Sequence, residues 1–175
     1  MRTEKHDETI NFYLNAQVAE TAALYREIIF CLTELGYKPV KQASSVSFKH
    51  TRHTKQIAKF GKDFFSLRFS ACRGYSKRFA DIVAAAVVKA DAKNPANKPY
   101  HLARCLTGEC NNCRGEAVLH VYAHADDDGE RMTSCGCYAL RIPDLSAGDI
   151  PEIKRLIREE HEYLMKNEAK IYNDI

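Results

Sequence analysis

The sequence predicts an α+β fold, in which a small antiparallel sheet packs with helices and a cysteine-bearing hairpin follows. Apolar residues recur at helical spacing near both ends of the chain, and short segments with alternating apolar residues lie between them. Five of the seven cysteines fall in one 33-residue stretch. A chain of 175 residues is long enough for one core and a small appended unit. We therefore predict an α+β domain over residues 1–99 and a metal-binding region over residues 100–175, whose final helix packs back on the first part.

Two helices are predicted in the first domain. A single long helix is expected over residues 9–35, because its apolar side chains return to one face and Gly36 suits its end. A second helix is expected after Ser76, whose hydroxyl can cap it. The Asn- and Pro-containing segment 91–99 is predicted to be a linker.

Three short segments between these helices are predicted to form an antiparallel meander. They are residues 45–50, 56–60 and 64–70, with a tight turn at 61–63. Side chains alternate between the two faces of a strand, so one face is expected to be apolar and the other basic. The basic face is expected to carry Lys49, Lys59 and Arg68.

A hairpin and a helix are predicted in the second half. Residues 117–123 and 133–142 alternate as strands and are joined by an acidic turn that ends in Gly129. The last helix is expected to begin at Asp149, because this N-cap carboxylate is followed by Glu152 three residues later.

The cysteine cluster has the spacing C-x4-C-x2-C-x21-C-x-C. Its members are Cys105, Cys110, Cys113, Cys135 and Cys137. Four thiolates brought to one point bind zinc, and two cysteine turns at the base of a hairpin resemble a zinc ribbon. Because only Gly136 separates the second pair, both sulfurs can face one ion only if this glycine makes a turn or bulge. The sequence predicts one structural zinc per chain, held by four of the five cysteines.

Other chemistry for the same cysteines stays open. The first four also match C-x4-C-x2-C followed by a distant cysteine, the order of plant-type ferredoxins, so a [2Fe-2S] cluster for electron transfer or redox sensing is an alternative. Two further alternatives are a thiol-disulfide switch and five reduced thiols that bind no ligand.

A basic segment covers residues 38–78, which hold eleven Lys or Arg and one acid. This charge predicts an anionic ligand or a nucleic acid as partner. Phe48, Phe60 and Phe69 could stack on bases, although strand alternation favours placing these rings in the core. Around the predicted helix start, Arg73, Lys77 and Arg78 are candidates for binding an anion.

Cys72 and Arg78 also satisfy C-x5-R, the loop of cysteine-dependent phosphatases, in which a thiolate attacks phosphorus. Phe79 stands where that family has a hydroxyl residue, and the preceding strand belongs to a meander. The sequence therefore favours a binding or regulatory protein over an enzyme.

A cytoplasmic location is expected, because the first residues are charged and no segment approaches the roughly 18 apolar residues of a membrane span. We expect no membrane partner. Disulfides are rare in the cytosol, which favours ligand or redox roles for the cysteines.

The order of helix, basic meander, helix, cysteine cluster, hairpin and closing helix resembles uncharacterised bacterial proteins. These pair a small YdhG-like α+β domain with a C-terminal cysteine patch, and some YdhG-like relatives are discussed as iron chaperones. The resemblance rests on Cys105 to Cys137 and on the helix at Asp149, and it assigns no functional residue.

Overall fold

The computed structural model describes residues 4–53, 55–72, 74–93, 121–125, 131–136 and 139–173. These residues form four α-helices: α1 (Glu4–Asn15), α2 (Ala19–Glu34), α3 (Lys77–Lys93) and α4 (Ile150–Asn173). They also form seven strands: β1 (Tyr37–Lys41), β2 (Ser45–His50), β3 (Gln56–Gly61), β4 (Phe64–Leu67), β5 (Val121–Ala125), β6 (Arg131–Cys135) and β7 (Leu140–Ile142). The predicted α+β class is confirmed.

The chain divides into two compact units. Unit 1 combines residues 1–67 with residues 141–175, and unit 2 covers residues 68–140. The predicted domain boundary at residue 99 stays a prediction, because residues 94–120 lie outside the described ranges.

The sheet of unit 1 has the strand order β1-β2-β3-β4-β7. Strands β1 to β4 pair antiparallel, as the predicted meander requires, with an irregularity between Phe48 and Lys49. The edge strand β1 was not predicted. It places Pro39 opposite Phe48, and the hydrogen bond from Gln42 N to Ser45 O (2.8 Å) continues its pairing with β2 toward the turn.

The single helix predicted over residues 9–35 is wrong, since the structure has two helices there. Residues 16–18 interrupt them: Ala16 N donates to Tyr13 O (3.2 Å), and Val18 is extended, with ψ of 150°. The extended residue turns the chain so that both helices present apolar residues to the sheet. Gly36 ends α2 as expected, and its φ of 86° is a value that glycine adopts without strain.

The core of unit 1 is a cluster of aromatic rings between the helices and one face of the sheet. Phe60 lies at its centre, with ring centroids 5.0 Å from Tyr25, 4.9 Å from Phe65 and 5.4 Å from Phe48. The Tyr13 hydroxyl donates to the carbonyl of Gly61 at 2.6 Å, which satisfies both buried groups.

Helix α4 packs against α2 and covers the rest of this core. Its apolar side chains Ile153, Leu156 and Ile157 lie at helical spacing and are fully buried. Its start differs slightly: Asp149 accepts hydrogen bonds from the backbone and hydroxyl of Ser146, so a short 3-10 turn with Ser146 as N-cap precedes the helix.

Unit 2 has its own small aromatic cluster. Phe69 lies 5.7 Å from Phe79 on α3 and 5.1 Å from Tyr122 on β5, measured between ring centroids. Phe69 N donates to the Tyr122 hydroxyl (3.2 Å), and Phe79 N donates to the Ser76 hydroxyl (3.5 Å), the predicted cap of α3.

Strands β5 and β6 pair antiparallel, with Val121 opposite Cys135. The predicted second arm, 133–142, is not continuous: β6 ends at Cys135, and residues 140–142 form β7 in the other sheet. The turn between β5 and β6 lies outside the described residues. In the part of the chain that the structure describes, no helix is long and apolar enough to cross a membrane.

Candidate functional site

The face of the unit 1 sheet opposite the aromatic core carries a group of basic side chains. We call it the basic face, formed by Lys38, Lys49, Lys59, Phe64 and Arg141. Lys38 lies directly opposite Lys49 in the pairing of β1 with β2. The hydrogen bond from Gln42 N to Ser45 O shows that these two residues form a hydrogen-bonded pair of the antiparallel ladder. Such pairs alternate with non-hydrogen-bonded pairs along the strands, so Lys38 and Lys49, two such pairs further along, are also a hydrogen-bonded pair. The Cα atoms of such a pair are about 5.5 Å apart.

Like charges directly opposite each other destabilise a sheet. A chain selected for stability alone would replace one of the two lysines, for example with Thr or Glu. Lys59 extends the same face, because its cross-strand neighbours are Ser47 on β2 and Ser66 on β4.

The basic side chains of residues 38–62 have no acidic partner in the described part of the chain. Ion pairs of described residues occur within α3, within α4 and between α4 and α2, and none of these includes a lysine or arginine of residues 38–62. Seven lysine and arginine residues of this segment form no ion pair with a described residue: Lys38, Lys41, Lys49, Arg52, Lys55, Lys59 and Lys62. Two of them lie over rings instead: Lys41 Nζ is 4.6 Å from the centroid of Phe12, and Lys59 Nζ is 5.8 Å from that of Phe64.

The core placement that strand alternation favours for Phe48, Phe60 and Phe69 is confirmed, because all three rings are completely buried. The alternative, in which they stack on bases, is wrong. Strand alternation puts the first two rings in the core of unit 1. The expected place of Arg68 on the basic face is wrong, because Arg68 is only 4% exposed and the strand predicted over residues 64–70 ends before it, at Leu67. The ring that does lie on the basic face is Phe64, which is only half-buried. The sequence contained a signal for this position of Phe64. Neighbouring strand residues point to opposite faces, so if Phe65 lies in the core, Phe64 must lie on the other face.

The anion-binding residues predicted at the start of α3 have mixed outcomes. Lys77 and Arg78 lie in the first turn of α3 and are exposed, and Lys77 Nζ pairs with Asp81 at 3.2 Å. Arg73 lies outside the described residues. Cys72 is buried at 3% exposure, and the strand before it is antiparallel to its neighbour. The phosphatase hypothesis stays a prediction.

A cluster of imidazole rings, which sequence reasoning did not find, lies at the end of β2. The rings of His50 and His53 stack with centroids 4.7 Å apart, and His161 from α4 lies 5.5 Å from His50. Tyr37 joins them: its hydroxyl is 3.3 Å from His53 Nε2 and 3.4 Å from His161 Nδ1.

The backbone fixes the proton positions of this cluster. Lys55 N donates to His53 Nδ1 and Arg52 N donates to His50 Nδ1, both at 3.2 Å, so each neutral ring carries its proton on Nε2. His53 can then donate to the Tyr37 hydroxyl, which donates to His161. Burial lowers the pKa of His50, and the nearby Arg52 lowers it further. Burial also lowers the pKa of His161, with a smaller contribution from His50.

The cysteine cluster lies almost wholly outside the described residues. Cys105, Cys110, Cys113 and Cys137 are among the undescribed residues, and for Cys135 only its place at the end of β6 is known. Gly136 lies in a turn directly after that strand, and its carbonyl accepts a hydrogen bond from Ser70 (3.1 Å). Within the described ranges, no three His, Cys, Asp or Glu side chains form a group that could hold a metal.

No protein-family model, curated protein or solved structure matches this chain. The resemblance to YdhG-like proteins therefore stays a prediction, and function has to be argued from the residues themselves.

Proposed function

We propose that this protein is a zinc-stabilised binding module whose basic face takes an anionic partner. The observation that carries the proposal is that Lys38 lies directly opposite Lys49 on the basic face, and that neither these two nor Lys59 and Arg141 form an ion pair with a described residue. Cations without internal partners repel one another, and an anion relieves this repulsion. A phosphate polymer gains most, because each neutralised phosphate releases a bound counterion.

We include zinc in this proposal because the spacing of the five cysteines is typical of a zinc site. A closed shell of thiolates leaves no open position for a reacting water, so its role is to hold the second half of the chain together. What supports the shell is the turn at Gly136, which directly follows Cys135 at the end of β6, since a pair separated by one residue needs a turn or bulge at that residue for both sulfurs to reach one ion.

The test removes the opposed lysines and measures binding of fluorescent DNA by anisotropy at several salt concentrations. We expect Lys38→Gln with Lys49→Gln to weaken binding. The slope of log K against log salt should become shallower by roughly 0.7 to 0.9 for each phosphate that the variant no longer neutralises. The same double variant should melt at the same or a slightly higher temperature, since it removes a like-charge pair.

Lys166→Gln is the matched control, because Lys166 is exposed on α4 and lies outside the basic face. It should leave the slope unchanged. If the unmodified protein binds neither DNA nor heparin at low salt, or if both sets of variants weaken binding equally, the proposed function is wrong.

A further inference from the structure

The ring of Phe64 is held in place before any ligand arrives. Phe64 lies opposite Gly61 in the pairing of β3 with β4. Its ring fills the space that a Cβ atom at Gly61 would occupy, so it rests on the bare backbone of the neighbouring strand. The ring is only half-buried. Because the ring packs against the backbone of Gly61 and stays partly exposed, it forms a fixed, flat, apolar surface, which we call the Phe64 platform.

Two cations lie over this platform, near the upper limit of about 6 Å for a cation–π contact. Lys59 Nζ lies 5.8 Å from the ring centroid, and Arg141 Cζ lies 5.6 Å from it. Arg141 is itself fixed, because its Nη2 donates to the backbone carbonyl of Asp63 at 2.6 Å. Neither cation forms an ion pair with a described residue. Their charges remain available to a ligand that approaches the ring.

A cleft of about 560 Å³ opens beside the platform, entirely within unit 1. The interruption between α1 and α2, the β3–β4 turn and the segment after β7 form its walls. Tyr25 and Phe65 give it an apolar side, Lys62 adds a further cation, and Asp63 and Asp144 add carboxylates. The volume lies within the range of roughly 300 to 1,000 Å³ that is usual for small-molecule sites.

The ligand class follows from these three features together. A flat ring takes a π-faced group, the cations take an anion, and carboxylates accept hydrogen bonds from N–H groups such as exocyclic amines. A nucleotide combines all three, whereas polyphosphate and heparin have no flat base. In a duplex the bases are stacked inside and cannot reach Phe64, so the strand must be unpaired.

We infer that the Phe64 platform and its cleft bind one base of a single-stranded nucleic acid, with the neighbouring phosphates on Lys59, Lys62 and Arg141. This inference rests on the proposed function, because it specifies the anionic partner of the basic face. The opposed pair Lys38 and Lys49 lies roughly 17 Å from Phe64 by strand geometry, so the two groups would contact different nucleotides of one strand.

The experiment uses the absence of tryptophan from this chain. In Phe64→Trp, the new indole reports stacking directly, and we expect its fluorescence to be quenched by a single-stranded oligonucleotide of about 12 nucleotides. Neither heparin nor duplex DNA should quench it. Phe12→Trp is the matched control, because Phe12 is 69% exposed and also has a lysine over its ring, yet it lies on α1.

A second variant measures affinity. Phe64→Leu keeps apolar bulk without a stacking ring, so we expect single-strand binding to weaken about 5-fold or more while heparin binding stays unchanged. Phe12→Leu should change neither. If single strands and heparin bind but Phe64→Leu alters neither affinity and Phe64→Trp is not quenched, this inference is overturned and the proposed function stands. If no polyanion binds at all, both are wrong.

Discussion

At the residue scale, the imidazole cluster shows how much a linear sequence hides. Its members, Tyr37, His50, His53 and His161, come from β1, the end of β2, the following turn and α4. No spacing rule connects residue 53 with residue 161, so only the fold brings them together. The same applies to Phe64, whose importance comes from the ring resting on Gly61 and not from any motif.

The cluster predicts a pH dependence of stability. Burial lowers the pKa of His50 and His161 in the folded state, whereas both rings have a pKa near 6.5 when the chain is unfolded. Below that value the unfolded chain binds more protons than the folded chain does, so the free energy of unfolding decreases as pH falls. Above it both states are neutral and the contribution is constant. Arg52 and Lys38 oppose protonation of His50, and Glu162 favours that of His161.

We expect the melting temperature to be constant above about pH 7 and to fall as pH drops below about 6.5. His161→Asn removes one titrating ring and should flatten this fall, which thermal unfolding followed by circular dichroism at several pH values can measure. His6→Asn is the control, because His6 lies on α1 and is not among the stacked rings. An equal pH dependence in the His161 variant and the unmodified protein would contradict the assignment.

At the element scale, the strands of the meander were predictable and the helix boundaries were not. Alternating Val46 and Phe48, and Phe65 and Leu67, give a period of two that only a strand satisfies. The apolar pattern of α1 and α2 continues across the interruption at residues 16–18, and nothing in Ala-Gln-Val signals a break. Strand β1 was missed because a proline and two lysines dilute its five residues.

Gly36 is where an element boundary depends on one residue. Its φ of 86° favours glycine, and a Cβ there would lie 3.1 Å from His50 Nε2. We expect Gly36→Ala to lower the free energy of unfolding by about 1 to 2 kcal/mol, measured by urea denaturation. Gly148→Ala is the matched control, because an added Cβ at that position meets only Ser146 Oγ at an ordinary 3.6 Å. If both substitutions lowered the free energy of unfolding equally, the positive φ of Gly36 would not be the cause of the loss.

At the scale of the whole molecule, the two proposed functions fall in different units. The basic residues 38–62 and Arg141 belong to unit 1, and the five clustered cysteines fall within the range of unit 2. The α+β class and the charge of the basic segment were readable from composition and pattern. The return of the C-terminal helix to the first part was also predicted. The start of unit 2 at Arg68 was not, because the alternating pattern of residues 64–70 continues across that point.

Removal of the metal tests this division. Elemental analysis of the purified protein should find one zinc per chain, and Cys110→Ser with Cys113→Ser should abolish it. We expect chelation to lower the melting temperature but to leave DNA affinity within about twofold, because the residues proposed to contact phosphate belong to unit 1 and the clustered cysteines to the range of unit 2. Cys31→Ser should keep the zinc, since Cys31 is buried in unit 1. Iron with sulfide in place of zinc would replace the structural site with an electron-transfer centre.

Strand β1 has one more consequence, for the solubility of the protein. Pro39 lies between the hydrogen-bonded positions that face β2, so its nitrogen points outward along the border of the sheet and offers no N–H there. A strand from another molecule that tried to lengthen the sheet would find a missing donor at Pro39 and would meet the charges of Lys38 and Lys41. This border therefore resists the chain-to-chain pairing that leads to amyloid-like aggregation, even where high concentrations bring copies together.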